Sequence, residues 1–284
     1  MSNNQHEKWD LVIQPKESLL KLNYKEVWRY RDLLWMLVKR DFVTYYKQTI
    51  LGPLWFLIQP ILTTLIITII FGKMAKLDTN GQPKYLFYLA GVTLWNYFAD
   101  CLNKTSNTFK DNQNIFGKVY FPRIVVPFSL IISNLVKFSI QFGIFICFLL
   151  YYIIFIGDLS ISLNYIFITP LLIVIMAGLS LGLGMIITSL TTKYRDLHFL
   201  IQFSVQLLMY GSSVIFPVAS VDAKYQLFLR LNPIVPIIES FKAVYLGGVI
   251  DWSGLLYSSI ITIMLFITGT IIFNKTEKSF MDTI

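Results

Sequence analysis

The sequence predicts an all-α, polytopic membrane protein with six transmembrane helices, an N-terminal amphipathic interfacial helix and a re-entrant helical segment before the last span. Three observations carry this. Of 284 residues, 55% are hydrophobic and only 14% charged, against about 25% charged in soluble domains. Six runs lack Asp, Glu, Lys and Arg, and most reach the roughly 20 residues that cross a hydrocarbon core. Basic residues also fall unevenly on the two sides that six crossings define. The 16% aromatic content excludes disorder, and two cysteines, Cys101 and Cys147, exclude a disulfide framework. With only His6 and His198, a histidine-rich metal site is excluded as well.

Residues 1–22 show no clear period beyond a short extended stretch at 10–13. Nine Lys/Arg lie in the polar first 50 residues, so no secretory signal is expected and this part is read as mature structure. Asn23 suits an N-cap with Glu26 reaching back to it. The stretch 27–35 then mixes Trp28, Tyr30 and Trp35 with Arg29 and Arg31, as in a helix lying among lipid headgroups. A soluble helix packed on a partner subunit is a compatible reading.

The uncharged runs are 48–72, 85–99, 138–157, 159–192, 197–221 and 252–274. The second is short and must borrow 100–102, with Asp100 marking its inner boundary. Lys137 precedes a run long enough to span alone, so it is expected to snorkel to the inner surface. Between the fifth and sixth runs lies 217–251, interrupted by Pro217, Asn232-Pro233 and Pro236. A seventh span here would put Glu239 and Lys242 in hydrocarbon. Two short helices dipping into the outer leaflet and buried against protein are expected instead, because broken backbone survives at membrane depth only there. The transmembrane domain is thus 51–274, after a cytoplasmic region 1–50 and before a cytoplasmic tail 275–284.

With both termini cytoplasmic, the inside segments hold 17 Lys/Arg and the outside segments 6. This asymmetry accounts for the net charge of +8 without a nucleic-acid partner. The chemistry of an enzyme is missing. No phosphate-cradling Gly-x-x-x-x-Gly-Lys-Ser/Thr loop occurs, so any ATP site belongs to another chain. No Asp-x-Asp pair or Ser/His/Asp set stands out, and His198 reads as a packed or interfacial side chain. A single break region and few carboxylates also disfavour ion-coupled transport.

From Trp28 onward the order of residues becomes specific. Trp28, Arg31, Leu33, Arg40-Asp41, Tyr45-Tyr46-Lys47, Leu51-Gly52, Trp55 and Pro60 are followed by Phe121-Pro122-Arg123 with Pro127, by Tyr194-Arg195-Asp196, and by Asn232-Pro233 before Glu239. Over essentially 9–275 the chain resembles the permease subunit of polysaccharide-exporting ABC transporters, the group exporting O-antigen, teichoic acid and capsule polymers. Lys242 departs from that pattern, where relatives often carry Arg.

The resemblance implies a homodimer of six-span subunits in the bacterial cytoplasmic (inner) membrane, paired with two copies of a separate ATP-binding subunit that holds ATP and Mg. The chain itself would hold no cofactor. The cargo would be a lipid-linked, undecaprenyl-pyrophosphate-type polysaccharide. Arg29, Arg31 and Arg40 would receive its headgroup at a gate lined by Tyr45 and Tyr46, since Arg can bond two phosphate oxygens at once. Positive-inside signalling accounts for the same residues. Trp55, Phe56, Trp95, Tyr97 and Phe98 are the channel aromatics so implied, and interfacial belts explain them equally. The loop 111–123, with Asn114, Ile115, Phe116, Lys118, Phe121, Pro122 and Arg123, would couple to the ATPase through an apolar knob at Ile115-Phe116. Alternatives are a permease for a small amphiphile or drug, and a membrane-bound glycosyl- or acyltransferase.

Overall fold

The computed structural model describes residues 24–47, 51–119, 121–156, 163–194 and 196–281. Among these residues every regular element is helical. Tyr24–Arg29 (α1) and Arg31–Lys47 (α2) precede Trp55–Ile67 (α3), which runs on through a π-helical turn, Thr68–Met74. Then follow Lys84–Thr105 (α4), the short Thr108–Asp111 (α5) and Gln113–Phe116 (α6), and the 31-residue Val125–Phe155 (α7). Thr169–Thr191 (α8), Leu197–Tyr210 (α9), Ala223–Arg230 (α10), Ile234–Leu246 (α11) and Trp252–Met281 (α12) complete the chain.

Four stretches are long and apolar enough to cross a membrane: Trp55–Met74, Val125–Phe155, Tyr165–Thr191 and Trp252–Lys278. The expected second span is α4, whose 22 residues reach about 33 Å. It carries Lys84, Asp100 and Lys104, is not among those four, and lies at the centre of the bundle. It packs against α3, α7, α8 and α11, and Leu89, Ala90, Val92, Leu94 and Phe98 are fully buried. The expected fifth span differs more. Its uncharged run continues to 221, but the helix stops at Tyr210, after 14 residues or about 21 Å. Hydropathy alone does not distinguish a buried non-helical segment from a helix. The third span begins at Val125, well before 138, because Lys137 is neutralised inside the bundle instead of marking its edge.

The tightest helix pair is α8 with α12. Gly178 and Gly182, four residues apart, are small residues on one face of α8, the pattern that lets membrane helices approach. A Cβ at Gly182 would lie 2.7 Å from the Leu265–Phe266 backbone, and one at Gly269 only 2.5 Å from the Gly182 carbonyl oxygen.

The bundle has two ends. At the base, Phe109 stacks on Phe273 and Arg123 bonds Glu277, gathering α5, α6, the start of α7 and the ends of α8 and α12. At the crown, Lys84 donates to the Gly72 carbonyl, Gln82 to the Gly247 carbonyl, and the Thr169 and Tyr245 hydroxyls bond at 2.8 Å. The segment 217–251 does form two short helices, α10 and α11, parted at Asn232-Pro233.

Candidate functional site

At the base, the loop that joins α4 to α7 is pinned by aromatic packing. Phe116 is only 2% exposed and lies against Phe109 and Phe121 at 6.0 and 5.9 Å. Phe109 in turn stacks on Phe273 of α12 at 4.7 Å. Buried Arg123 donates from Nη1 to the Glu277 carbonyl at 3.1 Å, and its guanidinium sits 5.1 Å from the Phe116 ring. Burial lowers the Arg123 pKa, while the Glu277 carboxylate at 3.8 Å raises it. Phe116, Phe121 and Arg123 therefore face the chain's own core, and the apolar knob expected at Phe116 is not on the surface. Ile115 and Pro122 are half-buried. Asn114, Lys118 and Val119 face outward. A cavity of about 400 Å³ is lined by Asn107, Lys110, Gln113, Thr192, His198 and Phe199 among others.

The basic N-terminal residues do not converge. Arg31 lies over Trp28 at 5.9 Å and pairs with Asp32 at 3.8 Å, whereas Arg40 bonds Asp41 at 2.8 Å. Arg31 and Arg40 stand nine residues apart in one helix, which puts them on opposite faces, about 180° out of phase. Arg29 is exposed on α1. Trp28 and Trp35 remain 71% and 62% exposed. Tyr45 and Tyr46 stand on the last turn of α2, and their side chains lie outside the described residues.

Of the five expected channel aromatics, Phe56, Trp95, Tyr97 and Phe98 are buried inside the subunit, and only Trp55 is exposed. A different face carries open rings. On α9, Phe199, Phe203 and Tyr210 are exposed together with Gln202 and Gln206. Phe199, Phe203, Gln206 and Tyr210 fall within about 60° of one another around the helix. Val205 is the buried residue of α9.

Two polar clusters inside the bundle were not read from the sequence as clusters. The first closes the crown. The Glu239 carboxylate accepts from the Ser213 hydroxyl at 3.0 Å and the Val218 N–H at 2.8 Å. Lys242, 3% exposed, donates to the carbonyls of Ser213 and Val214 at 2.5 and 3.2 Å, and its ammonium lies 3.5 Å from the Phe87 ring centre. Asn232 donates to the Gly211 carbonyl at 2.8 Å and accepts the Ile234 N–H at 3.0 Å. Together they satisfy the non-helical backbone between α9 and α10. Ser213 there has φ +56°. Gly91 lets that segment approach, since a Cβ would lie 3.0 Å from the Val214 carbonyl oxygen.

The second cluster is a seam between α4 and α7. Lys137 donates to Asp100 at 2.6 Å, and Asn96 to the Gln141 side-chain oxygen at 3.4 Å. Lys137 thus pairs with a carboxylate on the neighbouring helix. The signal was present as spacing: Asn96, Asp100 and Asn103 share one face of α4, and Asn134, Lys137 and Gln141 one face of α7. Among the described residues, no three of His, Cys, Asp and Glu gather as metal ligands.

The chain matches the family model described as ABC-2 type transporter over residues 32–246. It is similar to the O-antigen export system permease protein RfbA of Klebsiella pneumoniae, 25% identical over 264 residues, which cover 93% of this chain and 98% of that protein. The O-antigen export system permease protein RfbA of Myxococcus xanthus is 24% identical over 92% of this chain and 98% of its own length. For the polysialic acid transport protein KpsM of Escherichia coli, identity is 25% over 85% of this chain and 92% of that protein.

Proposed function

This chain belongs to the ABC-2 type transporter family, and from that premise we propose that it is the membrane subunit of an exporter for surface polysaccharide. It works as a homodimer in the bacterial cytoplasmic membrane, with both termini cytoplasmic and two copies of a separate ATP-binding subunit. ATP hydrolysis in that partner drives a lipid-linked polymer outward. Full-length similarity to O-antigen and polysialic acid transport proteins supports the cargo class. The count of 17 basic residues inside against 6 outside supports the orientation.

The observation that carries the reading within the chain is the open face of α9. Glutamines facing lipid would lose their hydrogen bonds, at a cost of several kcal/mol each, so this face suits a wet pathway or a second copy. Rings alternating with amides suit a sugar chain, whose apolar C–H faces stack while its hydroxyls bond the amides. The exposed Asn114, Lys118 and Val119 supply the docking surface for the ATPase, and Phe116 and Arg123 hold it against α12.

Deleting the gene in its native strain tests the function. Surface polymer disappears and lipid-linked polymer accumulates inside, and a wild-type copy restores export. Unchanged surface polymer in the deletion strain overturns the reading. Val119→Asp tests docking better than any change at buried Phe116, because an exposed site leaves the fold intact. It lowers polymer-coupled ATPase activity at normal membrane abundance.

A further inference from the structure

We infer that the polar seam between α4 and α7 is a binding subsite for a saccharide unit, an assignment that rests on the polysaccharide-export reading above. The seam has antiparallel register: Asn96 meets Gln141, Asp100 meets Lys137, and the same register sets Asn103 opposite Asn134. Its middle rung is open, with the Asp100 and Lys137 side chains 31% and 16% exposed, and the Lys137 ammonium lies 5.6 Å from the Phe56 ring centre. The flanking rungs are chemically incomplete. Gln141 is 1% exposed, yet its Nε2 donor has no partner, and the Asn103 Oδ1 acceptor is likewise buried and unpaired. Asn134, also 1% exposed, has the Cys101 thiol beside it, which is a weak acceptor.

A seam made only to join two helices would use apolar residues here, since a buried unpaired amide is destabilising. The unpaired atoms are of both kinds, since the Gln141 and Asn134 amide nitrogens need acceptors and the Asn103 oxygen needs a donor, and this defines the ligand. A hydroxyl both donates and accepts, so a polyol completes both kinds of rung. A pyrophosphate would meet Asp100, whose charge cancels that of Lys137 and leaves no net attraction. An apolar amphiphile would leave every orphan unpaired.

The test uses Asn96→Leu/Gln141→Leu, which removes both partners of one rung and so leaves no new unpaired group. In the native strain carrying this variant at wild-type membrane abundance, surface polymer production falls about three- to tenfold, the equivalent of one lost hydrogen bond to the ligand. The purified transporter unfolds at the wild-type temperature or above. Lipid-linked polymer extracted from the deletion strain raises the unfolding temperature of wild type more than that of the variant. Normal export with an undiminished polymer-induced shift overturns the assignment and makes the seam a hydrated structural contact. If the deletion strain itself keeps its surface polymer, the export reading fails instead, and the two failures are thereby distinguished. Should the double variant unfold early, Asn96→Leu/Gln141→Met, which keeps the volume at 141 and leaves no amide of this rung unpaired, carries the same expectations.

Discussion

The crown and the α4–α7 seam both place charged and amide side chains inside a bundle of apolar helices, and they do it in opposite ways. In the crown, Glu239, Lys242 and Asn232 spend their hydrogen bonds on the backbone of 211–218. That backbone cannot be helical and cannot reach water, so the side chains replace the partners it lacks. In the seam, the helices on both sides are intact and need nothing. There the side chains meet one another, and Gln141 and Asn103 are left with unpaired atoms. Polar residues that complete the backbone are architecture. Polar residues that complete nothing within the chain are available to a ligand.

The sharpest way to break this comparison is Lys242→Met. It strands two buried carbonyls and removes the charge that balances Glu239, so a loss of about 3 kcal/mol or more is expected. Thermal unfolding and membrane abundance should both fall. A stable, abundant variant would show that the crown does not depend on this clamp. Gly91→Val attacks the same clamp by volume. Its side chain would collide with the Val214 backbone and the Lys242 stem, and overpacking of this kind costs about 1–3 kcal/mol. Wild-type stability would mean that 211–218 is free to shift away from α4.

A smaller effect is expected where the crown meets solvent. The Asp251 carboxylate accepts from the Ser253 hydroxyl at 2.6 Å and the Gly254 N–H at 3.0 Å. These bonds, the Ser253 hydroxyl foremost, hold its pKa below the ordinary value of 3.8. The stabilisation is present above the unfolded pKa and is lost as pH falls through the lower folded pKa. Asp251→Ala should cost about 1 kcal/mol at neutral pH, as the loss of a helix cap does. Below the folded pKa the difference from wild type should vanish. A gap that persists unchanged at acid pH would contradict the capping role.

Much of the bundle was legible because its crossing helices are long uncharged runs, and the breaks at Asn232-Pro233 announced α10 and α11. The errors share one cause. Counting charges treats Lys137 as an edge, yet Asp100 on another helix neutralises it and α7 extends back to Val125. Counting apolar residues treats 197–221 as a helix, yet its far end is a loop whose partners, Glu239 and Lys242, come later in the chain. The site was less legible for the same reason. The loop 111–123 stood out by resemblance, but the burial of Phe116 depends on Phe109, Phe121 and, through Phe109, Phe273. That Arg31 and Arg40 lie on opposite faces of α2 needed only helical periodicity, which separates them by half a turn.

Export per folded transporter, compared between Glu239→Gln in the crown and Asn96→Leu/Gln141→Leu in the seam, tests the division most directly. Membrane-inserted protein is quantified by fluorescence-detected size exclusion and surface polymer by lectin or antibody binding in the same cells. The crown variant should lose folded protein while each remaining transporter works at the wild-type rate. The seam variant should keep its folded protein and export several-fold more slowly per transporter. If Asn96→Leu/Gln141→Leu lowers only abundance, or Glu239→Gln lowers only the rate, the distinction between the two clusters is contradicted.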